Sequence, residues 1–167
     1  MRIFISLVSV KLNYLITNIR IIFEITRYFF IYNSQKKINI KEMEESFGPH
    51  ITIDLKGCPK EILSNYNLHF DYLKMLPGLI QMTPITQPYV FPYAGLIPSD
   101  RGITGIVIIA ESHLSVHSFE EKGYSFIDIF SCKDFDVEKA IEITLEIFKP
   151  ESHEVNVVKR GKDFPRG

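Results

Sequence analysis

A glutamate, a serine and a histidine stand in a row at Glu111-Ser112-His113, with a second histidine at His117 and a cysteine at Cys132. These are the side chains of the chain best equipped for chemistry. Serine and cysteine are nucleophiles once a neighbouring base takes their proton, and an imidazole gains or loses a proton near neutral pH. All five lie within residues 106–132, IVIIAESHLSVHSFEEKGYSFIDIFSC, where polar reactive groups sit between β-rich apolar runs. Such a pattern describes a site carried on strands. Composition alone favours nothing beyond ordinary polar residues of a β-hairpin. His113 and His117 are four apart, a spacing that serves one metal ion on a helix. Here the surroundings are strand-like and no third ligand is evident, so no metal is expected. The sequence holds no GxGxxG, no phosphate-binding Walker loop, no HExxH and no G-x-S-x-G.

The elements that would position this stretch can be read on either side of it. Residues 50–55, HITIDL, alternate apolar and polar, the signature of a half-buried strand. After Gly57 and Pro59, residues 60–76 place Ile62, Leu63, Tyr66, Phe70, Leu73 and Leu76 at helical steps, with an interruption near 64–67 and a stop at Pro77-Gly78. A second strand is expected at 79–85. Pro84, Pro88, Pro92 and Pro98 make 87–101 a loop or an edge strand, because proline cannot donate to a ladder. Its Tyr89, Phe91 and Tyr93 suit either a pocket wall or anchors for a long loop. The run 106–109 reads as a buried strand, 114–119 and 124–130 as further strands, and 120–123 as the turn between the last two. Asp136 is a good N-cap for a helix over 137–148, whose Val137, Ala140, Ile141, Thr144, Leu145 and Phe148 form one apolar stripe. A last strand is expected at 154–159. Strands grouped together with few helices predict an α+β fold, a two-layer sandwich with helices on one face of an antiparallel sheet.

The totals agree with one globular domain. The chain has 167 residues, 46% hydrophobic and 23% charged, which suffices for a core and excludes a disordered chain. Its net charge of −1 is uneven: residues 1–42 carry seven basic and two acidic side chains, a net +5, which leaves −6 for residues 43–167. An acidic body argues against a nucleic-acid groove. Cys58 and Cys132 are far apart with no CxxC, so neither a zinc ribbon nor a disulfide framework is expected, and a reduced cytoplasmic setting is the simplest reading. Residues 1–42 are apolar but interrupted by charge too often to span a membrane. A cationic amphipathic helix on a membrane surface is one reading of them. The preferred one is an extension ahead of a native start at Met43, which intact-mass measurement would test. The domain is then 43–167.

One resemblance joins these features. ESHLSVH, preceded by TGIVIIA and followed by DIFSC, resembles the bacterial and archaeal S-adenosylmethionine decarboxylase family, whose pattern is close to SGVVVIAESHLSIHTWPE with TC after the next strand. HITIDLKGC resembles that family's first strand and turn, and DVEKAIEITLEIF its long last helix, so the likeness covers about residues 47–161. The resemblance implies a proenzyme that cuts itself between Glu111 and Ser112. The Ser112 hydroxyl attacks the Glu111 carbonyl to form an ester, and elimination and hydrolysis then leave a pyruvoyl group. This is the covalent cofactor, whose ketone forms a Schiff base with the substrate amine; no pyridoxal phosphate and no metal are implied. By matched position, His117 takes the proton lost in elimination, Thr104 supports processing, and Cys132 protonates the substrate carbon after CO₂ leaves. Glu121 is the carboxylate set against the substrate and Phe119 an aromatic wall. The family also implies a homodimer whose protomers lend residues across the interface. Ser118-Phe119-Glu120-Glu121 departs from T-W-P-E, and residues 80–101 are longer than the family loop. Substrate choice therefore lies between S-adenosylmethionine, for spermidine synthesis, and a basic amino acid such as arginine or ornithine. A non-catalytic α+β binding module is the remaining alternative.

Overall fold

A computed structural model describes residues 46–165, Gly95 excepted. The expectations for residues 1–42 lie outside the described residues. In chain order the elements are β1 (Gly48–Lys56), α1 (Lys60–Leu63), α2 (Tyr66–Leu79), β2 (Tyr89–Tyr93), β3 (Gly102–Ile109), β4 (Ser112–Phe119), β5 (Tyr124–Ser131), α3 (Val137–Phe148) and β6 (Ser152–Arg160). The six strands form one sheet in the order β2-β3-β4-β5-β1-β6. Every neighbouring pair is antiparallel. The fold is the α+β two-layer sandwich that the patterning predicts.

Period-two alternation decides which face of the sheet is covered. Ile51, Ile53, Leu55, Val107, Leu114, Val116, Ile127 and Ile129 are fully or almost fully buried. From the helices, Leu63, Tyr72, Leu73, Leu76, Ala140, Ile141 and Phe148 meet them. Removing each large side chain of this set from water contributes roughly 1.5–3 kcal/mol, which makes this layer the main source of stability. Gly105 faces α2 without a side chain. A Cβ there would lie 2.6 Å from Cδ1 of Leu73, so any larger residue would force that buried side chain to shift.

The helix caps follow the sequence. Asp136 accepts a hydrogen bond from the Lys139 amide at 3.0 Å and starts α3 as expected. Asn65 accepts one from the Leu68 amide at 3.1 Å, and this cap is what separates α1 from α2.

Two expectations near α2 need correction. The helix does not stop at Pro77-Gly78 but runs to Leu79, with Pro77 inside its last turn. Proline removes only its own amide, and the Ile80 amide still reaches the Leu76 carbonyl at 3.1 Å, so the turn closes around it. Nor is 79–85 a strand. Leu79 belongs to α2, Gln81 takes a φ of +60°, and only Pro84 makes an isolated bridge, to Ile109. The second strand is instead β2, inside the proline-rich stretch, with Pro92 tolerated because β2 is an edge strand paired to β3 alone.

Candidate active site

The helices cover one face of the sheet and leave the other uncovered within the described residues. Thr104, His113, His117 and Phe119 alternate with the buried residues of β3 and β4, and Phe126 and Asp128 do the same on β5, so all six belong to the uncovered face. The predicted site residues are gathered on this side, but in two groups at opposite ends of β4.

The first group surrounds the Glu111–Ser112 bond. Ala110 and Glu111 form the two-residue turn between β3 and β4, and Ile109 pairs with Ser112 at its base. Two-residue hairpins favour turns with positive φ, which suit glycine or asparagine. Here neither turn residue takes a positive φ, and Ser112 does instead, at +156°. That backbone state is unusual for an L residue, and it falls on the residue whose amide bond is expected to break. The Glu111 carbonyl oxygen accepts a hydrogen bond from the Cys132 amide at 2.9 Å. Its side chain is gripped by Thr83, whose amide and hydroxyl donate to the two carboxylate oxygens at 3.0 and 3.3 Å. Burial opposes the charge, but these bonds and the nearby Lys133 ammonium outweigh it and hold the Glu111 carboxyl below the usual carboxylate range. Ser112 Oγ lies 3.1 Å from His113 Nδ1.

The second group lies at the far end. Thr104 and His117 are direct cross-strand partners, and the Thr104 hydroxyl hydrogen-bonds to His117 Nδ1. The His117 ring stands edge-on to Phe119, with centroids 4.5 Å apart, and Tyr93 of β2 lies 6.0 Å away. Partial burial lowers the His117 pKa below its usual value, so the ring is neutral at pH 7 and able to accept a proton. Beyond it, Lys60 Nζ donates to Glu121 at 2.7 Å and Arg101 Nη2 to the same oxygen at 3.2 Å. Arg101 Nε also pairs with Glu120.

The structure thus unites Glu111, Ser112 and Cys132, and separately Thr104, His117 and Phe119, with Glu121 just past the strand end. It does not bring His117 to Ser112. Five residues of extended strand separate them, about 16 Å at about 3.3 Å per residue. His113 and His117, four apart, are likewise about 13 Å apart, too far to share one metal ion.

Sequence reasoning missed three partners. Thr83 lies in the segment misread as a strand and carries no motif. Lys60 and Arg101 reach Glu121 from distant positions. His113 was legible within Glu-Ser-His, but neighbours on a strand ordinarily point to opposite faces, so its contact with Ser112 was not.

Comparison with known proteins shows the family. A family model described as S-adenosylmethionine decarboxylase matches residues 49–161. The chain belongs to the S-adenosylmethionine decarboxylase family. Among relatives of this family, the S-adenosylmethionine decarboxylase proenzyme of Archaeoglobus fulgidus is 36% identical over 115 residues, covering 68% of this chain and 97% of that protein. The proenzyme of Thermococcus kodakarensis is 33% identical over 118 residues, covering 70% and 78%. The crystal structure of the adenosylmethionine decarboxylase from Aquifex aeolicus superposes with a TM-score of 0.60 at 24% identity, covering 70% of this chain and 92% of that one, which supports the shared fold.

Proposed function

We infer that this S-adenosylmethionine decarboxylase family member is a proenzyme that cuts itself between Glu111 and Ser112 and then decarboxylates S-adenosylmethionine. The observation that carries the cut is the Glu111–Ser112 bond itself, where a positive φ at Ser112 meets a Glu111 carbonyl polarised by the Cys132 amide. The pyruvoyl group left at Ser112 supplies a ketone that binds the substrate amine and accepts electrons as CO₂ departs. Cys132, the residue after β5, bonds the scissile carbonyl through its amide, and this proximity supports its thiol as the group that returns a proton to the substrate carbon. A thiol in that role suits a reduced cytoplasmic setting. Among the described residues no helix is long and apolar enough to cross a membrane.

The separation of Ser112 from His117 makes a second copy part of the reading. The uncovered sheet face exposes Tyr89, Phe91, Tyr93 and Phe126, a concentration of aromatic surface uncommon on a lone protomer. Two such faces related by a two-fold axis crossing β4 near Ser115 set Ser112 of one copy against His117 of the other, twice. Each site of this homodimer then has its scissile bond and Cys132 from one protomer and its Thr104–His117 pair, Phe119 and Glu121 from the partner.

The substrate reading is S-adenosylmethionine rather than arginine or ornithine. Glu120, the extra acid of the sequence, is spent on Arg101, and Glu121 is shared by Lys60 and Arg101. The far half of the site therefore carries no surplus negative charge to select a basic side chain, while aromatic rings are at hand for a base such as adenine. Two measurements test the whole. On a denaturing gel the full chain should resolve into fragments with the break before Ser112, and Ser112→Ala should stay whole. The processed protein should release CO₂ from S-adenosylmethionine and at most slowly from arginine or ornithine. An uncut wild-type chain, or a preference for a basic amino acid, would defeat the corresponding half of the reading.

A further inference from the structure

Self-cleavage needs two proton acceptors at two moments: one for the Ser112 hydroxyl as it attacks, and one for the Ser112 α-proton in the later elimination. His117 answers only the second, and does so from the partner copy. We propose that His113 is the base for the first step, acting on Ser112 within its own protomer. This rests on the self-cleavage reading above and goes beyond it.

The geometry is direct. His113 Nδ1 lies 3.1 Å from Ser112 Oγ, within reach for proton transfer. With the ring proton on Nε2, Nδ1 is the acceptor. The proton of Oγ passes to Nδ1 as Oγ forms its bond to the Glu111 carbonyl carbon. The carbonyl electron pair moves onto the oxygen, which the Cys132 amide holds at 2.9 Å. The carbon–nitrogen bond then breaks, the imidazolium returns its proton to the Ser112 nitrogen, and the amide has become an ester with no atom gained or lost.

The surroundings keep His113 in the form the step requires. Its ring packs edge-on against Phe130 of β5, with centroids 5.9 Å apart. Partial burial, then the charges of His50 on β1 and Arg160 on β6, lower its pKa, against an opposing pull from Asp128 on β5. Asp128 is itself hydrogen-bonded to His50 at 3.2 Å. The balance leaves a neutral imidazole at pH 7, unlike the protonated ring that a carboxylate neighbour alone would favour.

The two histidines give separable defects. Full-length chains made by cell-free translation would be followed in time on denaturing gels, with hydroxylamine used to split any ester at Glu111. His117→Ala should form the hydroxylamine-sensitive ester and stall there. His113→Asn, which keeps an acceptor near Ser112 but cannot take a proton, should form ester about 100-fold more slowly or worse, the usual contribution of a general base. In His113→Ala, added imidazole should restore ester formation. For the unmodified chain, the ester-forming rate should be level at neutral pH and fall only below about pH 6.5, the ordinary histidine value. Ester formation at the wild-type rate in His113→Asn would overturn the proposal. So would a His113→Ala chain that melts normally yet ignores imidazole, or a wild-type rate that falls already above pH 7. A wild-type chain that never yields ester or fragments would instead sink the self-cleavage reading, and the base with it.

Discussion

At the Glu111–Ser112 bond the backbone and the side chains carry different duties. The Glu111 carbonyl is held by the Cys132 amide, which a change to alanine keeps, whereas the proposed substrate step uses the Cys132 thiol. Cys132→Ala should therefore still cut itself, within about tenfold of the wild-type rate, while CO₂ release falls by roughly 10²–10⁴, the usual contribution of a positioned acid. Gel analysis of cutting and a CO₂ assay on the same sample check both halves. Glu111 was legible as the residue before the proposed cut. That its carboxylate is tied to Thr83 was not, because a bond between residues 28 apart in sequence leaves no local pattern.

At the scale of elements, the contact between α2 and the sheet contains a buried polar chain. His69, fully buried, donates from Nδ1 to the Asn65 carbonyl at 2.8 Å and accepts at Nε2 from the Ser118 hydroxyl at 2.7 Å. Ser118 in turn accepts from Ser125 at 2.8 Å, which ties α2 to β4 and β5 directly behind His117. Burial lowers the His69 pKa, with the Asn65 carbonyl opposing. The folded state thus binds this proton less readily than the unfolded chain, so its stability is fully present above about pH 6.5 and is lost as pH falls from there toward the lowered folded value. Melting temperature measured from pH 7.5 to pH 5 should decline, and His69→Asn should flatten part of that decline even though it melts lower at pH 7.5. At the other helix, Asp136→Ala removes the cap of α3 and should cost about 1 kcal/mol in a denaturant titration. The period-two and helical patterns placed β1, β4, β5 and α3 correctly. They failed at 79–85, where an apolar run bordering a proline looks the same whether it ends a helix or starts a strand, and tertiary contacts with β3 decide.

For the molecule as a whole, the distance between Ser112 and His117 is what brings a second copy into the proposed reaction. The proposed homodimer predicts complementation. Ser112→Ala and His117→Ala chains, each unable to complete processing alone, should together yield mixed dimers in which the His117→Ala chain is cut. The intact Ser112 of one copy then meets the intact His117 of the other. Co-expression with distinguishable tags, followed by gel analysis, reads this out. Absence of any cutting in a mixture shown to contain mixed dimers would refute the shared site, and a monomer in sedimentation would do so more simply.

Alternating polarity and the capping aspartate are local features, so the sequence by itself determined the sandwich fold, and the spacing Glu-Ser-His…His…Cys named the proposed scissile bond and the candidate reactive side chains. Only the tertiary structure decided which of them meet. His117 and Ser112 share a strand and are therefore held apart by its rigid rise per residue, while His113, adjacent to Ser112, lies within 3.1 Å of its hydroxyl. Spacing in sequence converts to distance only once the backbone conformation is known, and at β4 that conversion sets His117 far from Ser112 and His113 beside it.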